Sequence, residues 1–207
     1  MDLSKKTRRA AEQDRPEVKR HRENFKIARR FIDPASLVFL DESGAKTNMT
    51  RLYGRSPKGD RLYEAVPHGH WGTTTMLSAI RLAGVIESAS LVYDGPTDAA
   101  VFLTYVEDCL SPALRPGDLV VMDNLSSHKV KGVLEAIQAV GADVWYLPPY
   151  SPDLNPIELM WSKVKSILRS LAARTTESLH QAIGTALTAV TPSDLMGYFH
   201  HCGYVVH

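Results

Sequence analysis

A chain of 207 residues, 44% of them hydrophobic, is long enough to form one domain with a full core and a short appendage. No apolar run approaches the ~18 residues that a membrane span requires, and the opening sequence MDLSKKTRRA has no hydrophobic signal-peptide region. Cys109 and Cys202 are too few for a disulfide framework or a Cys-type zinc site. These features predict a soluble, cytoplasmic protein.

The net charge of +1 conceals an uneven distribution. Residues 1–30 contain 11 Lys/Arg and 5 Asp/Glu, whereas the remaining residues contain 13 and 18. We interpret residues 1–33 as a basic helical linker or arm, with a helix that starts at Pro16 and is capped by Asp14. Few apolar residues in it could pack on a core. Its charge suits a polyanion such as DNA, and a solvated helix is the alternative.

Residues 34–207 are predicted to form an α/β domain. Five segments have the apolar, short pattern of strands: Ser36–Glu42, Thr73–Leu82, Val85–Tyr93, Leu119–Asp123 and Val144–Leu147. Five others have helical periods or caps: Thr97–Leu110, Lys129–Val140, Ile157–Ala173, Thr175–Val190 and 192–204. A single strand and then a hairpin come first, strands then alternate with helices, and residues 45–72 are irregular. This order predicts a mixed sheet flanked by helices.

Three acidic residues occupy positions where simple solvation explains them poorly. Asp41 and Asp123 each end an apolar run, after LVFL and LVVM, and Glu158 opens a helix behind a proline-rich turn. If the two strands are neighbours, the three carboxylates meet at one edge of the sheet. Convergent carboxylates require cations between them, and oxygen ligands without cysteine favour Mg²⁺ or Mn²⁺. Two such ions, ~3.5–4 Å apart, suit phosphoryl transfer to water or a sugar hydroxyl.

Each acid also has a structural explanation when taken alone. Asp41 could cap the end of its strand. Asp123 and Asn124 form a pair that commonly starts a turn. Glu158 would stabilise a helix N-terminus by ~0.3–1 kcal/mol. Only the combined spacing and context favour a shared site.

The histidines give weaker signals. His68 and His70 could bind a metal, although Gly69 and Trp71 beside them indicate a loop. His128, five residues after Asp123, could orient a phosphate or a water near the acids, and polar surface is the alternative. His200 and His201 are expected at an exposed helix end.

Three stretches together resemble a known family. FLDESG at 39–44, VVMDNLSSHK at 120–129 and LPPYSPDLNPIELMWSKVK at 147–165 are similar to the catalytic domain of bacterial insertion-sequence transposases in the mariner-related superfamily. These are DDE enzymes with a ribonuclease H-like fold. The resemblance covers roughly residues 5–200, and its third stretch, which contains Asn155, Pro156, Glu158 and Trp161 in order, is the most specific.

The resemblance implies a role for each acid and a reaction. Asp41, Asp123 and Glu158 would be the catalytic residues that bind two Mg²⁺ or Mn²⁺ ions, with Asn124, His128 and Asn155 as candidate auxiliary residues. Water would cut DNA at transposon ends, and the resulting 3′-hydroxyls would attack target DNA, usually at a TA step. Paired ends imply a homodimer on DNA, in the bacterial cytoplasm at the nucleoid.

The sequence departs from the family before the first catalytic strand. Family members carry helix-turn-helix modules there, whereas residues 1–30 have too little apolar surface for one. A separately encoded helix-turn-helix subunit is therefore a predicted partner. Phosphate contacts are predicted for six basic residues: Lys5, Lys6, Arg8, Arg9, Lys163 and Lys165. The alternatives are a catalytically idle, truncated transposase that binds DNA or the full-length transposase as a regulator, and a stand-alone nuclease on a related fold.

Overall fold

The computed structural model describes residues 10–51, 53–63, 65 and 72–205. Within these ranges, six strands form a single sheet. The strands are Leu37–Ala45 (β1), Thr74–Arg81 (β2), Gly84–Val85 (β3), Leu91–Asp94 (β4), Leu119–Met122 (β5) and Asp143–Tyr146 (β6). Their order is β3-β2-β1-β5-β6, and β4 pairs with β2 alongside β3.

The sheet is mixed, as the sequence predicts. Strand β2 runs antiparallel to β1, β3 and β4, whereas β1, β5 and β6 are mutually parallel. The predicted hairpin is confirmed in its pairing, but its second strand is divided. A helical turn at Glu87–Ala89 separates β3 from β4, because it buries Ala89 beneath the sheet edge instead of continuing the ladder.

Six α-helices surround the sheet, and none of those described is long and apolar enough to cross a membrane. They are Pro16–Ala28 (α1), Ala99–Tyr105 (α2), Val133–Ala139 (α3), Pro156–Leu171 (α4), Thr176–Thr188 (α5) and Pro192–His201 (α6). Asp98, rather than the predicted Thr97, caps α2 by accepting hydrogen bonds from two backbone amides. Helix α3 is shorter than predicted because Gly132, with φ 103°, separates it from a helical turn at Ser126–Lys129.

The helices cover both faces of the sheet, which confirms the predicted α/β architecture. Side chains alternate between the two faces along each strand. Phe39 of β1 and Val121 of β5 point into the core beneath α4, α5 and α6. Val38 and Val120 point the other way, into the core beneath α2 and α3. This alternation also determines which face receives each acidic residue.

Helix α1 packs on the domain despite its polar sequence. Only Val18 and Phe25 are buried along it, and they lie seven residues apart, two turns along one face. Phe25 stacks on Trp145 of β6, with 3.9 Å between ring centroids. The predicted cap Asp14 is wrong: Asp14 belongs to a preceding helical turn, and Arg15 occupies the capping position. The basic segment is thus held against the sheet from Gln13 onward.

Candidate active site

Two of the predicted acids come from neighbouring parallel strands. Phe39 of β1 pairs with Val121 of β5. The same register, continued for two residues, brings Asp41 level with Asp123. Because Phe39 and Val121 face α4, the alternation of side chains places both acids on that face as well. The prediction that these strands are adjacent is confirmed.

The position of Asp41 within its strand differs from the prediction. We expected Asp41 to end β1, but the strand continues to Ala45. The reason is the pairing with β2, which runs from Asp41 opposite Ser78 to Ala45 opposite Thr74. Asp123, which is predicted as the last residue of its strand, instead directly follows the last residue of β5, Met122. Asp41 is therefore held by a continuous ladder, and Asp123 begins a loop.

The third acid lies in the first turn of α4. Pro156 occupies the first helical position, and the backbone amide of Glu158 donates to the carbonyl of Asn155 at 3.2 Å. Asn155 stands at the capping position, but its side chain makes no capping hydrogen bond. The apolar face of α4 is buried against β1, while Glu158 remains exposed beside it. The helix thus presents Glu158 at the edge of its packed face.

All three acids line one cleft of about 470 Å³. Asp41 lies on the sheet side, Asp123 on the loop after β5, and Glu158 on the helix. The remaining walls are Asn124, Leu125, Asn155 and the stretch 147–152. The proline-rich turn therefore forms part of the cleft as well as leading into α4.

The three carboxyl groups have different protonation properties. Burial, followed by the charge of Glu158, raises the pKa of Asp41 to about 8. Burial also raises the pKa of Glu158, partly offset by Lys165. For Asp123, burial is outweighed by the close contact with the His128 ring and the hydrogen bond from the Leu125 amide, so its pKa lies below the ordinary value. At neutral pH, Asp41 is therefore mainly protonated and Asp123 ionised.

The donor set fits a hard divalent cation, although the side chains do not form a closed cage. Within the described ranges, no three His, Cys, Asp or Glu side chains lie close enough to hold a metal as a set. The three acids repel one another electrostatically across the cleft, and a cation between them would relieve this like-charge repulsion. The three side chains offer only oxygen donors, which are the ligands that a hard divalent cation prefers. One of these carboxyl groups is neutral at pH 7.

A family model decides the assignment. The model described as DDE superfamily endonuclease matches residues 36–180, which is more than half of the chain and includes all three acids. The chain belongs to the DDE superfamily endonucleases. No curated protein gives a significant match to the sequence. The bacterial insertion-sequence branch stays a prediction.

Solved structures give the fold of this DDE superfamily member. A pre-cleavage Mos1 transpososome has a TM-score of 0.78 at 18% identity, over 97% of this chain and 64% of the other. The mariner Mos1 paired-end complex with Mg has a TM-score of 0.72 at 17% identity, over 98% of this chain and 64% of the other. The catalytic domain of Mos1 mariner transposase has a TM-score of 0.68 at 18% identity, over 94% of this chain and 91% of the other. The ribonuclease H-like fold is confirmed, and the chain spans 64% of the transpososome protein.

His128 lies against Asp123 in this DDE endonuclease. Its side chain is 1% exposed, stacks on Phe102 at 4.3 Å between centroids, and places Nδ1 2.7 Å from Oδ1 of Asp123. That contact is short but poorly aligned for an N–H donor, and neither ring nitrogen has a well-formed hydrogen bond. The residue is buried, so the alternative of a polar surface histidine is wrong. Its contact orients Asp123.

The two asparagines flank the cleft in different ways. The side-chain amide of Asn124 donates to the carbonyl oxygen of Leu147, which ties the loop after β5 to the proline-rich turn. Asn155 is 3% exposed, and its Oδ1 has no hydrogen-bond partner. Asn124 therefore braces the cleft, and Asn155 has an unused acceptor in its wall.

The two basic residues of α4 have different surroundings. Lys163 is bound to Asp194, at 2.5 Å between Nζ and Oδ2, and so contacts the start of α6. Lys165 lies seven residues after Glu158, on the same helical face, and lowers its pKa by its charge. Of this pair, only Lys165 faces the candidate site. Lys5, Lys6, Arg8 and Arg9 lie outside the described residues.

Of the histidines that the structure describes away from the cleft, none adds a ligand to it. His68 and His70 lie outside the described residues. His200 and His201 are exposed at the end of α6, as expected.

Two residues that fasten the proline-rich turn are not among those predicted from the sequence. Arg22 and Gln13, both in the segment interpreted as an arm, bind the turn directly. The pairing of Val18 with Phe25 two turns later was the available signal, since it marks a helix face that packs.

Proposed function

We propose that this chain is the catalytic unit of a transposase that hydrolyses DNA at transposon ends and transfers the 3′-hydroxyl ends to target DNA. The observation that supports it most is the convergence of Asp41, Asp123 and Glu158, from two adjacent strands and one helix, on a single cleft. Membership of the DDE superfamily endonucleases supports the same reaction class. The Mos1 structures include paired-end complexes with Mn and with Mg.

Asp41, Asp123 and Glu158 would hold the divalent ions. By analogy with phosphoryl-transfer enzymes, two ions would bind there. Bound Mg²⁺ or Mn²⁺ supplies activation of the attacking oxygen and stabilisation of the leaving oxygen. The protein fixes where its carboxylates stand: the β1–β2 ladder holds Asp41, and His128 and the Leu125 amide hold Asp123 ionised. Asp41 must lose its proton before it can act as a ligand.

DNA would approach the cleft beside α4. Lys165, on the helical face of Glu158, is the described residue best placed for a phosphate contact, while Lys163 is engaged by Asp194. Lys5, Lys6, Arg8 and Arg9 complete the proposed basic set. We propose a homodimer on paired ends, with a helix-turn-helix subunit supplying end recognition.

A nicking assay tests the reaction. The chain is incubated with supercoiled plasmid carrying candidate ends, in Mg²⁺ or Mn²⁺, with and without the helix-turn-helix subunit. Asp123→Asn should lower nicking by about 100-fold or more, which is about 2.7 kcal/mol of transition-state stabilisation. Asp108→Asn is the matched control, because Asp108 is exposed on the opposite side of the sheet.

The outcomes are distinct. Equal nicking by wild type and Asp123→Asn would show that the activity does not come from this cleft. DNA binding without nicking, even with the added subunit, would support the regulatory alternative instead. Nicking without joining of 3′-ends to a target would indicate a nuclease without strand transfer.

A further inference from the structure

Helix α1 is bound to the proline-rich turn, residues 147–155, by an arginine. The Arg22 guanidinium donates to Oδ1 and Oδ2 of Asp153 at 2.9 and 2.6 Å, and to Oγ of Ser151 at 2.7 Å. The Arg22 side chain is only 11% exposed. A bidentate arginine–carboxylate pair fixes direction as well as distance. Asp153 lies five residues before Glu158, so this contact restrains the approach to α4.

A second contact holds the middle of the turn. Gln13 donates from Nε2 to the carbonyl oxygen of Tyr150 at 2.6 Å. Tyr150 has φ 55°, a left-handed conformation that side chains other than glycine adopt at a cost of roughly 1–2 kcal/mol. Such a conformation persists only where neighbouring contacts enforce it. The hydrogen bond from Gln13 is one of these contacts.

A third contact lies at the start of the turn. Phe25 of α1 stacks on Trp145, two residues before Leu147, with ring planes 16° apart. Together with Gln13 and Arg22, it fastens the turn at its beginning, middle and end. This proline-rich turn lines the cleft and continues into α4, which carries Glu158 near its N-terminus.

We propose that α1 positions Glu158 for catalysis through the proline-rich turn, with Arg22 as the principal positioning residue. The inference rests on the proposed function, since Glu158 must be a working carboxylate for its position to matter. Arg22 contacts neither Asp41 nor Asp123 and acts only by fixing the turn. Losing its contacts leaves the sheet and both aspartates in place and lets the start of α4 move.

The test compares Arg22→Gln with Arg20→Gln. Arg20 is exposed on the same helix, and its side chain makes no hydrogen bond or ion pair with the residues that the structure describes, so it controls for charge and helix content. Hydrogen exchange of residues 147–160, Mn²⁺ affinity by electron paramagnetic resonance and nicking as a function of Mn²⁺ concentration are measured for each protein.

We expect Arg22→Gln to accelerate exchange across residues 147–160 and to weaken Mn²⁺ binding roughly tenfold. Saturating Mn²⁺ should restore most of the nicking rate, because the aspartates are unaffected. Arg22→Lys, which keeps the charge but loses the bidentate geometry, should fall between wild type and Arg22→Gln. Arg20→Gln should match wild type in all three measurements.

Equal exchange and Mn²⁺ affinity in wild type and Arg22→Gln would overturn the proposal. If Arg22→Gln fails to fold, Asp153→Asn removes the same ion pair from a side chain that is 54% exposed, and the same expectations apply to it. Loss of structure in both variants would also overturn the proposal, since Arg22 would then support the whole fold. Wild-type protein that neither binds Mn²⁺ nor nicks DNA would refute the proposed function instead.

Discussion

Replacing Asp41 by asparagine should stabilise the protein at alkaline pH while removing its response to divalent metal. Asp41 lies deep in the protein and retains only partial contact with solvent through the cleft. Burial and the charge of Glu158 raise its pKa from 3.8 to about 8. An asparagine reproduces the neutral, protonated form of the side chain at every pH.

Proton linkage gives the sign and the size of the change in stability that Asp41 produces as the pH rises. Because the folded-state pKa is raised, the contribution of Asp41 to stability is fully present below about pH 4 and is lost as the pH rises through about 8. Four pKa units would correspond to roughly 5 kcal/mol. Solvent contact in the cleft reduces this, and we expect about 2–3 kcal/mol. Asp123, whose pKa is lowered, contributes in the opposite sense and only at acidic pH.

Urea unfolding in a chelator at about pH 4 and pH 8.5 measures the effect. Wild type should lose about 2–3 kcal/mol between the two pH values, and Asp41→Asn should lose much less. Mg²⁺ at about 100 times its dissociation constant should return about 2.7 kcal/mol to wild type at pH 8.5 and little to the variant. The same pH slope in Asp41→Asn and wild type would refute the reasoning. Asp108→Asn serves as the control.

Three further predictions concern stability and DNA binding. Arg81→Met should cost roughly 3–5 kcal/mol in urea unfolding, since it leaves the buried Asp118 without its partner at 3.1 Å, and adding Asp118→Leu should recover part of the loss. No recovery would contradict this. Lys165→Gln should reduce the slope of log K against log salt for DNA binding by about 1, whereas Lys163→Gln should not. Equal slopes would show that the ion pair of Lys163 does not withhold it from DNA. Thr175→Ala should cost about 1 kcal/mol by removing the cap of α5, and an unchanged unfolding midpoint would exclude the capping role.

The sheet could be predicted because its strands are short and apolar and are separated by turn-forming residues. The apolar runs before Asp41 and Asp123 are buried on both faces, which fixes them as central strands. The end of the helix between β5 and β6 and the start of α4 follow local rules, since Gly141 can adopt the positive φ that ends a helix and Pro156 fixes φ at the first helical position. The adjacency of β1 and β5 was conditional, because the crossover rule applies to strands that one crossover connects, whereas β2, β3 and β4 lie between these two in the chain.

The details that shape the cleft depend on contacts between distant segments and could not be predicted. The length of β1 beyond Asp41 depends on pairing with β2, and the sequence DESGA carries no strand signal of its own. The role of Arg22 depends on Asp153, which is 131 residues away. Neither residue has a local pattern that marks it. A helix with two buried residues looks like a solvated arm until its partner surface is known.

The opposite pKa shifts of Asp41 and Asp123 give the proposed metal site a built-in order. Asp123 is ionised at neutral pH and available as a ligand, because His128 and the Leu125 amide stabilise its charge. Asp41 is mainly protonated under the same conditions, so its recruitment releases a proton. Metal affinity should therefore rise with pH up to about 8, with close to one proton released per site below that pH. In the DDE superfamily site proposed here, the ladder that buries Asp41 thus sets the pH at which all three acids can act together.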